Sequence, residues 1–210
     1  MKGILNLLKR SSTPKPGDDQ PDSVMFTTAF AEMGLEGATL TPWDARANET
    51  GAKRMSASRG LKLLQNLWSK DKYMCRLDDL AIGRLERFFE FAIVPEGREI
   101  IGQNEYGNFM VVLLTGSIAV DRVQPWGENL RLTEARPGDI LGEMSLLDSG
   151  MRFSRCTTLG ECQIAVLGAS ELDEMMTADP VLAANLIALL ARKLSLRLRV
   201  VSARLTDTRG

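Results

Sequence analysis

The spacing of apolar residues changes period twice along the chain. Leu61, Leu64, Leu67 and Trp68 recur at intervals of three and four, which predicts a helix capped by Ser58 and ending near Asp71. A second stripe, Leu77, Ala81, Leu85 and Phe88 with Leu80 beside it, predicts a helix over 77–89. From Phe91 the period falls to about two. Short segments at 91–94, 98–102, 109–114, 117–122, 129–134, 155–158 and 163–167 are separated by Gly, Pro, Asn and Asp. Many short strands at regular spacing imply an antiparallel β-roll or jelly roll, with Gly97, Gly116 and Gly138 at its corners. Gln124-Pro125-Trp126-Gly127 is a turn, and an exposed Trp126 there is either a partner contact or a lid over neighbouring apolar surface.

After Gly168 the helical period returns. Ser170 can cap a helix from Glu171 to Thr177, and Pro180 suits the first turn of a long helix reaching about Leu205. Ile187, Leu190, Leu194, Leu198, Val201 and Leu205 give that helix one continuous apolar face. Packing at its start alone would leave the later residues wet, which favours a homodimer seam. The fold class is therefore α+β, a β-roll over 91–168 flanked by a helical lead-in at 57–90 and C-terminal helices at 169–210.

The first 56 residues differ from the rest. Ile4, Leu5, Leu7 and Leu8 lie among basic residues in Met1 to Arg10, a docking helix for a partner or membrane surface, or a frayed end. Ser11 to Ser56 is rich in Pro, Gly, Thr, Asp and Ala without clear period and is expected to be mostly disordered, a tether. Lys53-Arg54-Met55-Ser56 within it has the form of a site for a basophilic kinase or a pseudosubstrate.

Composition removes several function classes. The chain has 210 residues, 44% of them hydrophobic, and a net charge of −1, so no basic surplus points to nucleic acid. It has no histidine, which weighs against a metal enzyme on a cupin-like barrel. Cys75, Cys156 and Cys162 lack metal-ligand spacing and imply a reducing, cytoplasmic compartment. No metal site and no cofactor are expected. No apolar run is long enough to span a membrane, and the first segment is too short for a signal peptide. No nucleophile–base pair or carboxylate dyad falls at sensible spacing, so no enzymatic activity is expected.

The candidate chemistry lies between Gly138 and Cys162. Gly142 permits close backbone approach, and a short helix opening there would aim free N–H groups at an anion. Arg152 offers a planar fork of donors to a phosphate, and Glu143 can accept hydrogen bonds from sugar hydroxyls. The run Gly142-Glu143-Met144-Ser145-Leu146-Leu147, followed by Arg152, resembles the phosphate-binding cassette of the cyclic-nucleotide-binding domain family. That family includes the catabolite activator protein and the regulatory subunits of cAMP-dependent protein kinase. Pro95-Glu96-Gly97, Asn108 to Gly116 and Pro137-Gly138-Asp139 are similar to the glycine-punctuated strands leading to the cassette, so the resemblance covers about 77–205.

The resemblance implies that Glu143 binds the ribose 2′-hydroxyl, that Arg152 binds the cyclic phosphate, and that amides near Met144 and Ser145 join them. Phe153 departs from the small residue usual after the arginine, and Ser154 follows it. A ring there narrows the pocket, stacks on the ligand or turns inward as core. Arg197 falls where the family's C-terminal helix faces the base, and reaches the purine or is a solvated surface arginine. The expected ligand is cAMP or cGMP, with cAMP first. The expected function is a cytoplasmic regulatory module acting on a separate protein effector; the alternative is a scaffold whose domain has lost ligand binding. No helix-turn-helix pattern follows, so direct nucleic-acid binding is not expected.

Overall fold

The computed structural model describes residues 25–32, 40–71 and 79–207. Their elements run α1 (Phe26–Glu32), α2 (Trp43–Thr50), β1 (Lys53–Arg54), α3 (Ala57–Trp68), α4 (Asp79–Arg84), a 3₁₀ turn (Leu85–Arg87), β2 (Glu90–Val94), β3 (Glu99–Ile101), β4 (Phe109–Thr115) and β5 (Ile118–Val123). They continue with β6 (Asn129–Ala135), β7 (Ile140–Leu141), α5 (Glu143–Asp148), β8 (Arg155–Thr158), β9 (Cys162–Gly168), α6 (Ala169–Ala178) and α7 (Pro180–Asp207). The strands form two antiparallel sheets, β1-β2-β9-β4-β7 and β3-β8-β5-β6.

β4 shows why this part of the chain reads as a solid apolar run rather than an alternating one. Both of its faces are covered. Phe109, Val111 and Leu113 enter the core between the two sheets, with Ile101, Ile118, Cys156 and Ile164. Met110, Val112 and Leu114 enter a second core under the helices, with Leu64, Trp68, Leu172 and Leu186. The expected corner glycines Gly97, Gly116 and Gly138 all take positive φ. At Gly116 a Cβ would also meet the Glu161 carbonyl oxygen at 2.7 Å.

Several expectations need correcting. Residues 11–56 are not a plain tether: α1, α2 and β1 lie within them, because Phe26, Phe30, Trp43 and Met55 are anchors that find burial on the roll. Lys53 and Arg54 pair with β2 at the sheet edge and Met55 N–H donates to the Phe91 carbonyl at 2.8 Å, so the Lys-Arg-Met-Ser stretch is built into the fold. The helix expected to start after Ser58 begins at Ala57, and the one expected after Ser170 begins at Ala169. The helix expected over 77–89 is the short α4 followed by the 3₁₀ turn, with Ala81, Leu85 and Phe88 buried and Leu77 outside the described residues. Strand β7 lies outside the segments that the apolar period predicts. Residues 1–10 also lie outside the described residues.

The long last helix starts at Pro180 as expected, with Asp179 accepting from Leu182 N–H at 3.2 Å. Leu182, Leu186, Leu189 and Leu190 bury its first turns. Beyond Leu194 the helix leaves the core, and Leu198 is 67% and Val201 52% exposed. Among the described residues no helix is long and apolar enough to cross a membrane.

Gly60 lies flat against the Phe91 ring, and a Cβ there would sit 2.1 Å from the nearest ring carbon. Gly60→Ala is therefore expected to lower stability by about 1–3 kcal/mol through overpacking. Denaturant melts check it: an unchanged midpoint would show that the helix can lift off Phe91 without cost.

Candidate functional site

The backbone of β7 hands the chain to α5 through one left-handed residue. Gly142 has φ 78° and ψ 4°, and precedes Glu143, the first residue of the helix. A side chain at Gly142 would be strained by its backbone and would collide with Arg152 Nη1 at 2.5 Å. The glycine is thus required by φ and by the guanidinium beside it.

Arg152 is 2% exposed and lies over the Phe109 ring, 4.7 Å from its centroid. Nη1 donates to the Gly142 carbonyl and Nη2 to the Phe109 carbonyl, each at 2.6 Å. Its Nε–H has no hydrogen-bond partner among the described residues. The Arg152 backbone is fixed by the loop between β3 and β4: its N–H donates to the Glu105 carbonyl at 2.8 Å, and Asn104 N–H donates to its carbonyl at 2.9 Å. Burial pulls the guanidinium down to about 10 from 12.5, and the Glu105 carboxylate is the leading opposing influence.

Glu143 is 3% exposed and faces the last helix. Arg197 of α7 donates from Nη1 to its carboxylate and from Nη2 to the Ile140 carbonyl at 2.7 Å. One turn earlier, Lys193 Nζ donates to the Gly138 carbonyl at 3.1 Å. Two cations of α7 therefore fasten it across the cassette. Burial raises the Glu143 carboxyl above its ordinary 4.5, with Arg197 the first influence lowering it and Arg152 and Lys193 adding to that.

The other predicted residues divide. Ser145 is buried at 2% and Met144 is 48% exposed. Phe153 does not turn inward as core: it is 54% exposed, and the Arg122 guanidinium lies 4.1 Å from its ring centroid while donating to its carbonyl. Ser154 is half-buried two residues before Cys156, whose thiol burial pushes up to about 12. Arg197 is not free in solvent, and its partner is the cassette carboxylate. Glu105, Gly107, Phe109 and Lys193 were not singled out by the sequence. A Cβ at Gly107 would lie 2.7 Å from Arg152 Nη2, so that loop is shaped to the arginine. The signal available was the need of any buried arginine for a carboxylate, which Glu105 in a glycine-flanked loop could have met. Two cavities, of about 500 and 110 Å³, are lined by neither Glu143 nor Arg152.

A glycine-opened helix with a buried carboxylate at its start and a buried arginine against it can hold an anionic sugar by both ends. In comparison with known proteins, residues 93–179 match the model of the cyclic nucleotide-binding domain family. This stretch is a cyclic nucleotide-binding domain. The chain is 30% identical over 116 residues to the cyclic AMP receptor protein of Thermus thermophilus, covering 55% of this chain and 52% of that one. It is 28% identical over 114 residues to a CRP-like cAMP-activated global transcriptional regulator of Mycobacterium tuberculosis, covering 54% and 51%. The chain thus spans about half the length of these relatives. Among solved structures, a cyclic nucleotide-binding domain from Methylobacillus flagellatus superposes with TM-score 0.67 at 20% identity, over 73% of this chain and 86% of that one. The catabolite activator protein of Thermus thermophilus gives TM-score 0.53 at 28% identity, over 60% and 61%. The β-roll with a long C-terminal helix is the fold these domains have.

The domain's buried carboxyl has a consequence for pH. Because Glu143 has its folded pKa raised, its contribution to stability is full below 4.5 and is lost as pH rises through the folded value. Glu143→Gln fixes the neutral form, and is expected to hold or raise the melting temperature at about pH 7 while changing it little at about pH 4. Calorimetry at both values checks this; a lower melting temperature at the higher pH would mean that the Arg197 pair outweighs burial.

Proposed function

We propose that the chain is a cytoplasmic regulatory module that binds a purine cyclic mononucleotide, cAMP first, and transmits binding through α7 to a separate effector protein. Its role is regulatory, not catalytic. The observation that carries this reading is that Arg152 and Glu143 are both buried beside Gly142, with Arg197 of α7 bonded to the Glu143 carboxylate. Arg152 takes the cyclic phosphate, the amides of Met144 and Ser145 assist it, and Glu143 accepts from the ribose 2′-hydroxyl. The Arg197 role changes from reader of the purine edge to competitor for Glu143. A ribose hydroxyl that shares this carboxylate alters the hold of Arg197 on the cassette, and so biases the position of α7. The ligand shifts that equilibrium only by its differential affinity for the two positions. The apolar residues Leu198 and Val201 then serve as a homodimer seam or an effector face. The relatives' names support cAMP as ligand and add transcriptional regulation as an output.

One observation favours the second reading, a scaffold with a lapsed site: both terminal nitrogens of Arg152 are engaged by main-chain carbonyls, so a phosphate must compete with them. Calorimetric titration distinguishes the two. Wild-type protein is expected to bind cAMP, and Arg152→Glu to lose about 2–5 kcal/mol of that affinity. Bound nucleotide should also raise the melting temperature of the wild type alone. No thermal shift with any cyclic mono- or dinucleotide would leave the scaffold.

A further inference from the structure

Helix α1 has seven residues, too few to hold its shape in water unaided, so its helicity depends on what it docks against. Its N-terminus is capped from far along the chain. Met25, Phe26 and Thr27 each donate a backbone N–H to the Asp173 carboxylate at 2.9 Å, and Thr27 Oγ1 donates to it at 2.7 Å. A cap ordinarily comes from the residue just before the helix; here it comes from α6, and Asp173 is 6% exposed. Phe26 and Phe30, one turn apart, are buried in the same core as Leu146 of α5 and Leu172 and Met175 of α6. Thus α1 packs at once on the cassette helix and on the helix that leads into α7. The same N-terminal segment also reaches the loop that holds Arg152, through Arg46 of α2, which pairs with Glu105.

We infer that α1 is a displaceable strap across the seam between α5 and α6, and that its docking is coupled to the cassette. The coupling to ligand rests on the reading of the cassette as the phosphate site. Phosphate that draws Arg152 off the Gly142 carbonyl moves the start of α5 relative to α6, and a helix packed on both cannot keep both contacts. Linkage then runs both ways: ligand changes strap docking by the factor by which the strap changes ligand affinity.

Hydrogen exchange on the full chain tests this with two variants. Asp173→Asn removes the anionic cap, and Phe30→Ser alters only the strap side, leaving the roll's own residues intact. Each is expected to speed exchange of the α1 amides at least about tenfold, with faster exchange across α5 alongside. With cAMP as probe, both should show affinity shifted about threefold or more from wild type, and saturating cAMP should change α1 protection in the wild type by the matching factor. Amides of α1 that stay protected in both variants overturn the strap. Release of α1 with α5 exchanging as before overturns the coupling, with or without nucleotide. Absence of cAMP binding in all three proteins, while α5 still follows α1, overturns the phosphate reading and supports the strap.

Discussion

A guanidinium with almost no exposed surface has exchanged nearly all its water for protein partners, and the rest of the site follows from how that exchange is compensated. Desolvating an ion of this size costs several kcal/mol, and a nearby charge offsets that only with good hydrogen-bond geometry. For Arg152 the compensation is assembled from four elements: carbonyls of Gly142 and Phe109, the Phe109 ring beneath it, and the Glu105 carboxylate in the loop between β3 and β4. Gly107 and Gly142 leave no side chain where the guanidinium lies. The arginine therefore locks the cassette to the inner strand of the roll.

The second charge has a different partner. Glu143 begins α5 on the far side of Gly142, and α7 supplies its partner. Two neighbouring charges of opposite sign are thus bound to different bodies, one to the roll and one to the terminal helix. On the proposed reading, an anionic sugar that engages both loosens both attachments, and a small ligand thereby acts on a helix of 28 residues. The exposed apolar face beyond Leu194 lies on the lever that such a change would move.

The N-terminal segment joins this arrangement at two places, through the Asp173 carboxylate and through the Arg46–Glu105 pair. Both contacts join residues far apart in sequence. They tie a polar segment, poor in periodic hydrophobics, to the helices and loop that frame the cassette.

Periodicity determined the roll, its corner glycines and the long helix from Pro180, because strand and helix spacing are local properties of one face covered by a core. The series of turns leading to Gly142-Glu143 likewise made the cassette legible, since left-handed glycines leave a mark at fixed positions. Tertiary structure alone decided that Phe153 lies outward under Arg122, that Arg197 meets Glu143 rather than solvent, and that Glu105 serves Arg152. It also decided that Phe26, Phe30 and Trp43 turn a tract without pattern into ordered helices. In each case the physical reason is the same: which charge pairs with which, and which lone aromatic finds a groove, depends on groups brought together by folding, and no local spacing encodes a partner about 30 to 150 residues away.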